Sequence, residues 1–569
     1  MRDKEEFFSI LSGIDGKEFP EYAALMGDFD FSRYVLKIGH IQREGEGQST
    51  LFLVRVPQII AAFPSRLFNS PVRRTALEDF LTRRLAARIE MLARYDGEGV
   101  SHRRITVACP GQKILPRSSL VITEEYIEAR IYINLPARRG RVAGDSAKEV
   151  FFQDLPTVIN AALIYCNLGE HEVENFVNQM EDADQIRQVL PTRGWMSFVA
   201  EGALLSRAGT TDLPDYDRLV PLSVDDDLAV SLEVPNARSV RGFGVPTGVT
   251  VVLGDAYSGR TELMHALANG IYNHILGDGR ELVITVPDAV YVAAETGRSV
   301  QRVDVGAFVQ GLAGARPFSC DSADACVAEA ASTVEALEVG ARVLLFDESD
   351  SSPEFLALDS RSAGLLPGVD KRVTPLSLRA RQIADELGVS IVVGGSACVA
   401  EFIPVADTVL RVEGFRVSNV TKEAKSLPVQ TMAGKAKAAE IAGLVEKNRW
   451  VVPSSIDPSL GRFDATIDAP DTHHLTFGRS AVNLGGVIQL ADVYQTRTVG
   501  RILYYAKLRY MDEPRPIREI LDLIDRDLST EGLESLTRDL RGDLARPRRY
   551  EIAAALNRLD TLRITRAAE

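Results

Sequence analysis

The chain predicts an α/β fold built on a mostly parallel sheet, and three observations carry that prediction. From residue 248 onward, β-branched strands alternate with helical segments, an order that implies parallel strands covered on both faces. The string VVLGDAYSGRTELMHAL (251–267) runs from one such strand through a glycine-bearing turn into a helix. The string ARVLLFDESD (341–350) is a second apolar strand, and it ends in acids. Ligands of such sheets gather at the carboxyl ends of the strands, so the turn and the acids are expected to meet.

A chain of 569 residues exceeds what one hydrophobic core normally covers, and three regions are expected. Residues 1–240 read as an N-terminal α+β domain. Within it, TALEDFLTRRLAARIEMLARY (75–95) places Leu77, Phe80, Leu81, Leu85, Ile89 and Leu92 on one helical stripe, with Thr75 and Glu78 in capping-box relation. RRITVAC, SSLVITEE and YIEARIYINL read as strands, LPARRGRVAG (135–144) as a basic connection, and FFQDLPTVINAALIYCNL and EVENFVNQMEDADQIRQVL as helices. Residues 241–424 hold the loop and the acidic strand, followed by the strands GVSIVVGGSA and ADTVLRVEGF. Residues 425–569 read as a C-terminal mixed domain, mainly helical. A connection (422–443) leads to two short strands (RFDATIDA, THHLTFG) and three amphipathic helices within 499–511, 517–528 and 548–562.

Composition narrows the function. Lys and Arg number 65 against 79 Asp and Glu, a net charge of −14, so no global basic field exists to capture nucleic acid. Five scattered cysteines argue against a disulfide framework and fit a reducing, cytoplasmic setting. Cys320 and Cys326 are close, but no His or Cys at metal-ligand spacing joins them. The charged opening MRDKEEFFSILSG suggests no signal peptide, and no run of apolar residues is long enough to span a bilayer.

The chemistry lies in the loop. Gly254, Asp255, Ala256, Tyr257, Ser258, Gly259, Arg260, Thr261 and Glu262 follow the spacing G-x-x-x-x-G-[KR]-[ST] of a phosphate-binding Walker A loop. A glycine-bearing strand-to-helix turn aims backbone N–H groups at phosphate oxygens, and the helix N-terminus adds partial positive charge. Thr261 is expected to place its hydroxyl on Mg²⁺. Arg260 stands where lysine is usual, and its wide planar fork predicts weakened binding of the β- and γ-phosphates or an altered pose. At the Walker B strand, 86 residues beyond Thr261, Asp347 is expected to hold Mg²⁺ and Glu348 to orient or deprotonate the attacking water.

With these motifs in view, the chain resembles the ATPases of the ABC class, a family of soluble P-loop proteins. The resemblance runs from about residue 20 to 564 and includes RTALEDFL, FFQDLP, YNHILGDGRE, DAVYVAAETGRSV, VEALEVGARVLLFDE and GDLARPRRYEIAAALNRL. It implies an α/β P-loop NTPase core of ABC type, with ATP and Mg²⁺ as cofactors and a homo- or heterodimer formed through that domain. It also implies a signature-like segment, S-G-S-T-S-Q in relatives, that is donated to the partner's γ-phosphate. Here the aligned residues are Asp324, Ala325, Cys326, Val327, Ala328 and Glu329. An acid where a triphosphate docks costs about 4 kcal/mol for unit charges ~4 Å apart at an effective dielectric of ~20, roughly a thousandfold in affinity. The expectation is therefore an ATP-Mg²⁺ binder with impaired hydrolysis, or alternatively a pseudo-ATPase scaffold partnering an intact paralogue or protein complex.

The resemblance also implies RNA handling, without a membrane. Arg138, Arg139 and Arg141 form one basic cluster, and Arg546, Arg548 and Arg549 another. Such side chains either track a phosphate backbone or pair with the chain's own acids.

Overall fold

The computed structural model describes residues 1–41, 49–95, 104–209, 211–309, 317–357, 373–427, 441, 449–461 and 465–565. The chain forms two compact units. One comprises Met1–Glu181 with Glu531–Arg546, the other Asp182–Thr530 with Pro547–Glu569.

In the first unit the long β-branched strands Thr50–Pro57 and Tyr126–Ile133 pair antiparallel along their whole length, at the centre of a seven-stranded sheet. The helix predicted from Thr75 begins four residues earlier, at Pro71. Proline suits the first helical position, where its missing N–H costs nothing, so Thr75 lies inside the helix rather than at its cap. Glu78 instead turns inward and accepts a hydrogen bond from the Ile122 N–H at 3.0 Å; burial pushes its pKa up to about 7. The predicted helix over 151–168 is interrupted, with a π-turn at Val150–Asp154, an α-helix at Leu155–Ala162 and a short 3₁₀ turn at Tyr165–Asn167. The basic connection is a small hairpin, Ala137–Arg138 against Arg141–Val142. Its two central residues, Arg139 (φ 52°) and Gly140 (φ 76°), both have positive φ, the geometry that matches strand twist in a two-residue turn.

The second unit holds the predicted parallel sheet. Seven strands take part: β1 (Ser223–Val224), β2 (Val249–Leu253), β3 (Ala289–Tyr291), β4 (Val343–Asp347), β5 (Ser390–Gly395), β6 (Thr408–Glu413) and β7 (Arg416–Asn419). Their order is β1-β7-β6-β2-β5-β4-β3. All neighbours run parallel except the β6–β7 hairpin. Strands buried on both faces explain the near-continuous apolar runs: Val251, Leu344, Phe346, Ile391 and Val393 are all fully buried in one cluster.

Residues 195–246 belong to this same unit. Strands Val230–Val234, Arg238–Pro246, Trp195–Ala200 and Val283–Thr285 form a four-stranded antiparallel sheet. Toward the C-terminal end, a three-stranded meander (Ile467–Asp471, His474–Phe477, Ser480–Asn483) precedes helices Val493–Tyr510, Ile517–Thr530 and Arg549–Asn557. The expected connection over 422–443 lies mostly outside the described residues, apart from the helix Thr421–Ser426. Among the described residues no helix is long and apolar enough to cross a membrane.

Candidate nucleotide site

Strand register brings the loop and the acids together. Leu253 at the end of β2 pairs with Gly395 of β5, and Asp347 at the end of β4 pairs with Gly394. The carboxyl ends of β2 and β4 therefore flank the same two glycines, about 10 Å apart at ordinary strand spacing. Side chains on β5 would fill that gap. A Cβ on Gly394 would lie 2.5 Å from Asp347 Oδ1, and one on Gly395 would lie 2.8 Å from Glu348 Oε2.

The loop after β2 closes with a turn in which Ser258 N donates to Asp255 O, and helix α1 (Arg260–Asn269) follows. Gly259 caps α1 at φ 94°, which favours glycine, and a Cβ there would also strike the Phe415 ring at 2.7 Å. The hairpin turn carrying Phe415 is bound to the loop, with Phe415 N donating to Ser258 O at 2.8 Å. Asp255, Ala256 and Tyr257 face solvent. Tyr257, 96% exposed, adopts φ 64°, a backbone position that costs an aromatic residue about 1–3 kcal/mol.

Arg260 and Thr261 turn inward. Thr261 Oγ1 donates to Asp347 Oδ2 at 3.0 Å. Arg260 Nη2 donates to Thr261 Oγ1 at 3.2 Å, and Nη1 donates to the Gly254 carbonyl at 2.8 Å. Arg260 Nε lies 3.2 Å from Asp347 Oδ1, and Nη1 lies 3.8 Å from Glu348 Oε2. Asp347 is fully buried, and its Oδ1 accepts no hydrogen bond among the described residues. Glu348 is held by the Ser396 N–H and hydroxyl. Partial burial pushes its pKa up, but these hydrogen bonds, the Cys398 thiol and the Arg260 charge bring it below the usual carboxylate range. The same neighbourhood raises Cys398 to about 12, chiefly through burial and then through the Glu348 charge.

The sequence reading did not single out Ser396, the Gly394–Gly395 pair or a flanking cluster at Asp350. His265, one turn beyond Thr261, lies 2.9 Å from Asp350, which also accepts from the Tyr291 hydroxyl at 2.6 Å. Burial raises the Asp350 pKa, yet these two partners bring it below its usual value. The D-E-S-D string was a signal for this third acid, but nothing in it pointed to His265 or Tyr291.

The signature-aligned segment opens helix α2 (Ala325–Glu338). Asp324 caps that helix itself, accepting from Val327 N at 2.9 Å. Cys326, Val327, Ala328 and Glu329 are buried. Glu329 accepts from Ser352 N at 2.7 Å, and burial pushes its pKa up to about 8.

Three family models match the chain in succession: an ATPase-of-the-ABC-class N-terminal domain over residues 4–166, the P-loop domain of ABC ATPases over 169–448, and the MRB1590 C-terminal domain over 466–565. The chain belongs to the ATPases of the ABC class. The P-loop match contains the whole of the loop, β4 and β5, so the geometry above is that of a nucleotide-binding family. This ABC-class chain is also 24% identical over 197 residues to the uncharacterized protein MJ1628 of Methanocaldococcus jannaschii. That match covers 32% of this chain and 43% of the relative, so it spans less than half of the relative's length.

The basic clusters part company in the structure. Arg138, Arg139 and Arg141 are exposed on their hairpin, with Arg141 reaching the Gly16 carbonyl at 2.9 Å. Arg548 is instead committed to the carbonyls of Pro287 and Ala289 and to Glu551, and Arg549 pairs with Asp522 and Asp525. Arg546 is half-buried, and its N–H donates to Pro116 O. In the second cluster, then, the Arg548 and Arg549 side chains pair with acids and carbonyls of the chain itself, the second of the two readings the sequence offered. Among the described residues no group of three or more His, Cys, Asp or Glu could hold a metal ion, and the His473–His474 pair is accounted for by a turn in which His474 contacts Asp471 at 2.9 Å.

Proposed function

We propose that this chain is an ATP-binding switch of the ABC class that turns over slowly. The carrying observation is the hydrogen bond from Thr261 to Asp347, which joins the phosphate loop to the acid strand. The loop from Gly254 to Glu262 would receive the phosphates on backbone N–H groups at the start of α1. Thr261 and Asp347 are the oxygen pair that would hold Mg²⁺ where a divalent ion enters, beside an Arg260 guanidinium whose Nε already faces Asp347 Oδ1 at 3.2 Å. Mg²⁺, when bound there, supplies positive charge to the phosphate oxygens. Glu348, kept ionised by Ser396 and Arg260, is the group placed to orient an attacking water or accept its proton.

Slow turnover follows from this chain's own substitutions. The Arg260 guanidinium is committed to Asp347, Glu348 and the Gly254 carbonyl rather than free to meet a phosphate. The helix that would meet a partner's phosphate is capped by Asp324. Those same features favour a second reading, a pseudo-ATPase scaffold that binds nucleotide without consuming it. Single-turnover hydrolysis of ATP by the purified chain, beside Glu348→Gln, separates the two. A slow rate abolished by the substitution supports the switch, no hydrolysis with retained binding supports the scaffold, and a fast rate dependent on Glu348 contradicts both.

Coupling to RNA or a nucleoprotein would run through the exposed arginines of the 137–142 hairpin. Charge reversal at Arg138 and Arg139 should weaken RNA binding evenly across sequences and flatten its salt dependence. A gel shift of labelled single- and double-stranded RNA over a salt series tests this; an unchanged salt slope would remove the hairpin from the interface.

A further inference from the structure

The arginine of the loop makes more contacts than its spacing alone would predict. Its side chain is only 10% exposed; its Nη groups donate to the Gly254 carbonyl and the Thr261 hydroxyl, and the guanidinium forms ion pairs with Asp347 at 3.2 Å and Glu348 at 3.8 Å. A buried carboxylate such as Asp347 requires a compensating positive charge. We infer that Arg260 is a built-in counter-cation for Asp347, so that nucleotide phosphates bind this loop without depending on a divalent ion. The inference rests on the nucleotide reading above and adds a cation requirement, or rather its absence, to it.

Three physical points carry it. First, the guanidinium is planar, with donors on separate edges, and can bind the loop's first carbonyl while lying against both acids; a compact ammonium, with three donors on one atom, cannot span that set. Second, Asp347 Oδ2 already accepts from Thr261 and from the Ser349 hydroxyl, and Oδ1 faces Arg260 Nε at 3.2 Å. The carboxylate therefore has its charge matched and one oxygen bonded before any ion arrives. Third, a divalent cation entering between Thr261 and Asp347 would sit within contact distance of a fixed positive charge, and like charges that close repel. What remains for the phosphates is the backbone N–H array and the helix terminus, neither of which needs a metal.

The test is equilibrium binding of radiolabelled ATP to the full chain, in buffer with Mg²⁺ and in buffer with EDTA, repeated with Arg260→Lys. The account predicts that EDTA changes the wild-type dissociation constant by less than about threefold, whereas Arg260→Lys loses about tenfold or more when Mg²⁺ is removed. Wild-type binding that collapses in EDTA overturns the inference and leaves the nucleotide reading standing. Equal insensitivity in both proteins overturns the assignment to Arg260. No saturable binding in either buffer overturns the nucleotide reading itself. Should Arg260→Lys fail to fold, the wild-type ratio between the two buffers decides alone.

Discussion

Substituting Gly394 by alanine probes the site without removing any functional group. The added methyl would sit 2.5 Å from Asp347 Oδ1, 2.6 Å from Met264 Cγ and 3.1 Å from Met264 Sδ, where ordinary contact begins at 3.4 Å. Met264 is flexible and can yield. Asp347 cannot, because it is fully buried and tied to Thr261 and Ser349. Overpacking of this kind costs about 1–3 kcal/mol, and the upper half of that range is expected because the displaced atom belongs to a buried ion pair. Both tryptophans of the chain, Trp195 and Trp450, lie in the second unit, so urea unfolding followed by tryptophan fluorescence reports on the unit that carries the change. The account predicts a destabilisation of about 2 kcal/mol, near thirtyfold in the folding constant, together with weakened ATP binding. A shift under about 0.5 kcal/mol with unchanged ATP affinity would refute the claim that β5 glycines hold the site open.

Other substitutions test the physics around the site. Both carboxylate oxygens of Glu335 accept from Arg298 Nη2 at 2.7 Å, with each side chain 5% exposed. Glu335→Ala strands a buried guanidinium and should cost about 3–5 kcal/mol in the same fluorescence assay. Glu329 holds its proton up to about pH 8 when folded, against 4.5 as an ordinary carboxylic acid. The folded state then binds the extra proton between those values, so this group's contribution to stability falls as pH rises from 4.5 through about 8 and is level above. Glu329→Gln, which can still accept from Ser352 N, should raise the melting temperature more at pH 8.5 than at pH 5 by calorimetry. Gly13 lies within helix Lys4–Ile14 with open space around it, so Gly13→Ala should stabilise the first unit by about 0.5–1 kcal/mol in circular dichroism melts.

The parts of this molecule legible in the sequence were those written in contiguous residues. The apolar runs before Gly254 and Asp347, the glycine spacing and the paired acids each sit within a dozen positions, and their periodicity is local. What escaped depends on which strand lies beside which. Gly394 and Gly395 matter because β5 is inserted between β2 and β4, a fact of strand order that no single stretch contains. Arg260 could be read as a replacement for lysine, but its inward turn depends on the position of Asp347. Arg548 and Arg549 form a basic cluster in sequence, but whether they face a phosphate or the chain's own groups depends on contacts such as the Pro287 carbonyl and Asp522, which lie far along the chain, as well as the nearby Glu551. Pro71 displaced the expected cap at Thr75 because a proline start and a capping box are competing signals for the same helix, and only packing decides between them.

The central claim is that the arginine-bearing loop and the acid strand form one phosphate pocket. A crystal structure of the full chain grown with a non-hydrolysable ATP analogue tests it most directly. The account predicts phosphate density on the backbone N–H groups at the start of helix Arg260–Asn269, beside Thr261, with the Arg260 guanidinium still against Asp347. Analogue density elsewhere on the protein, with the loop left empty, would contradict it.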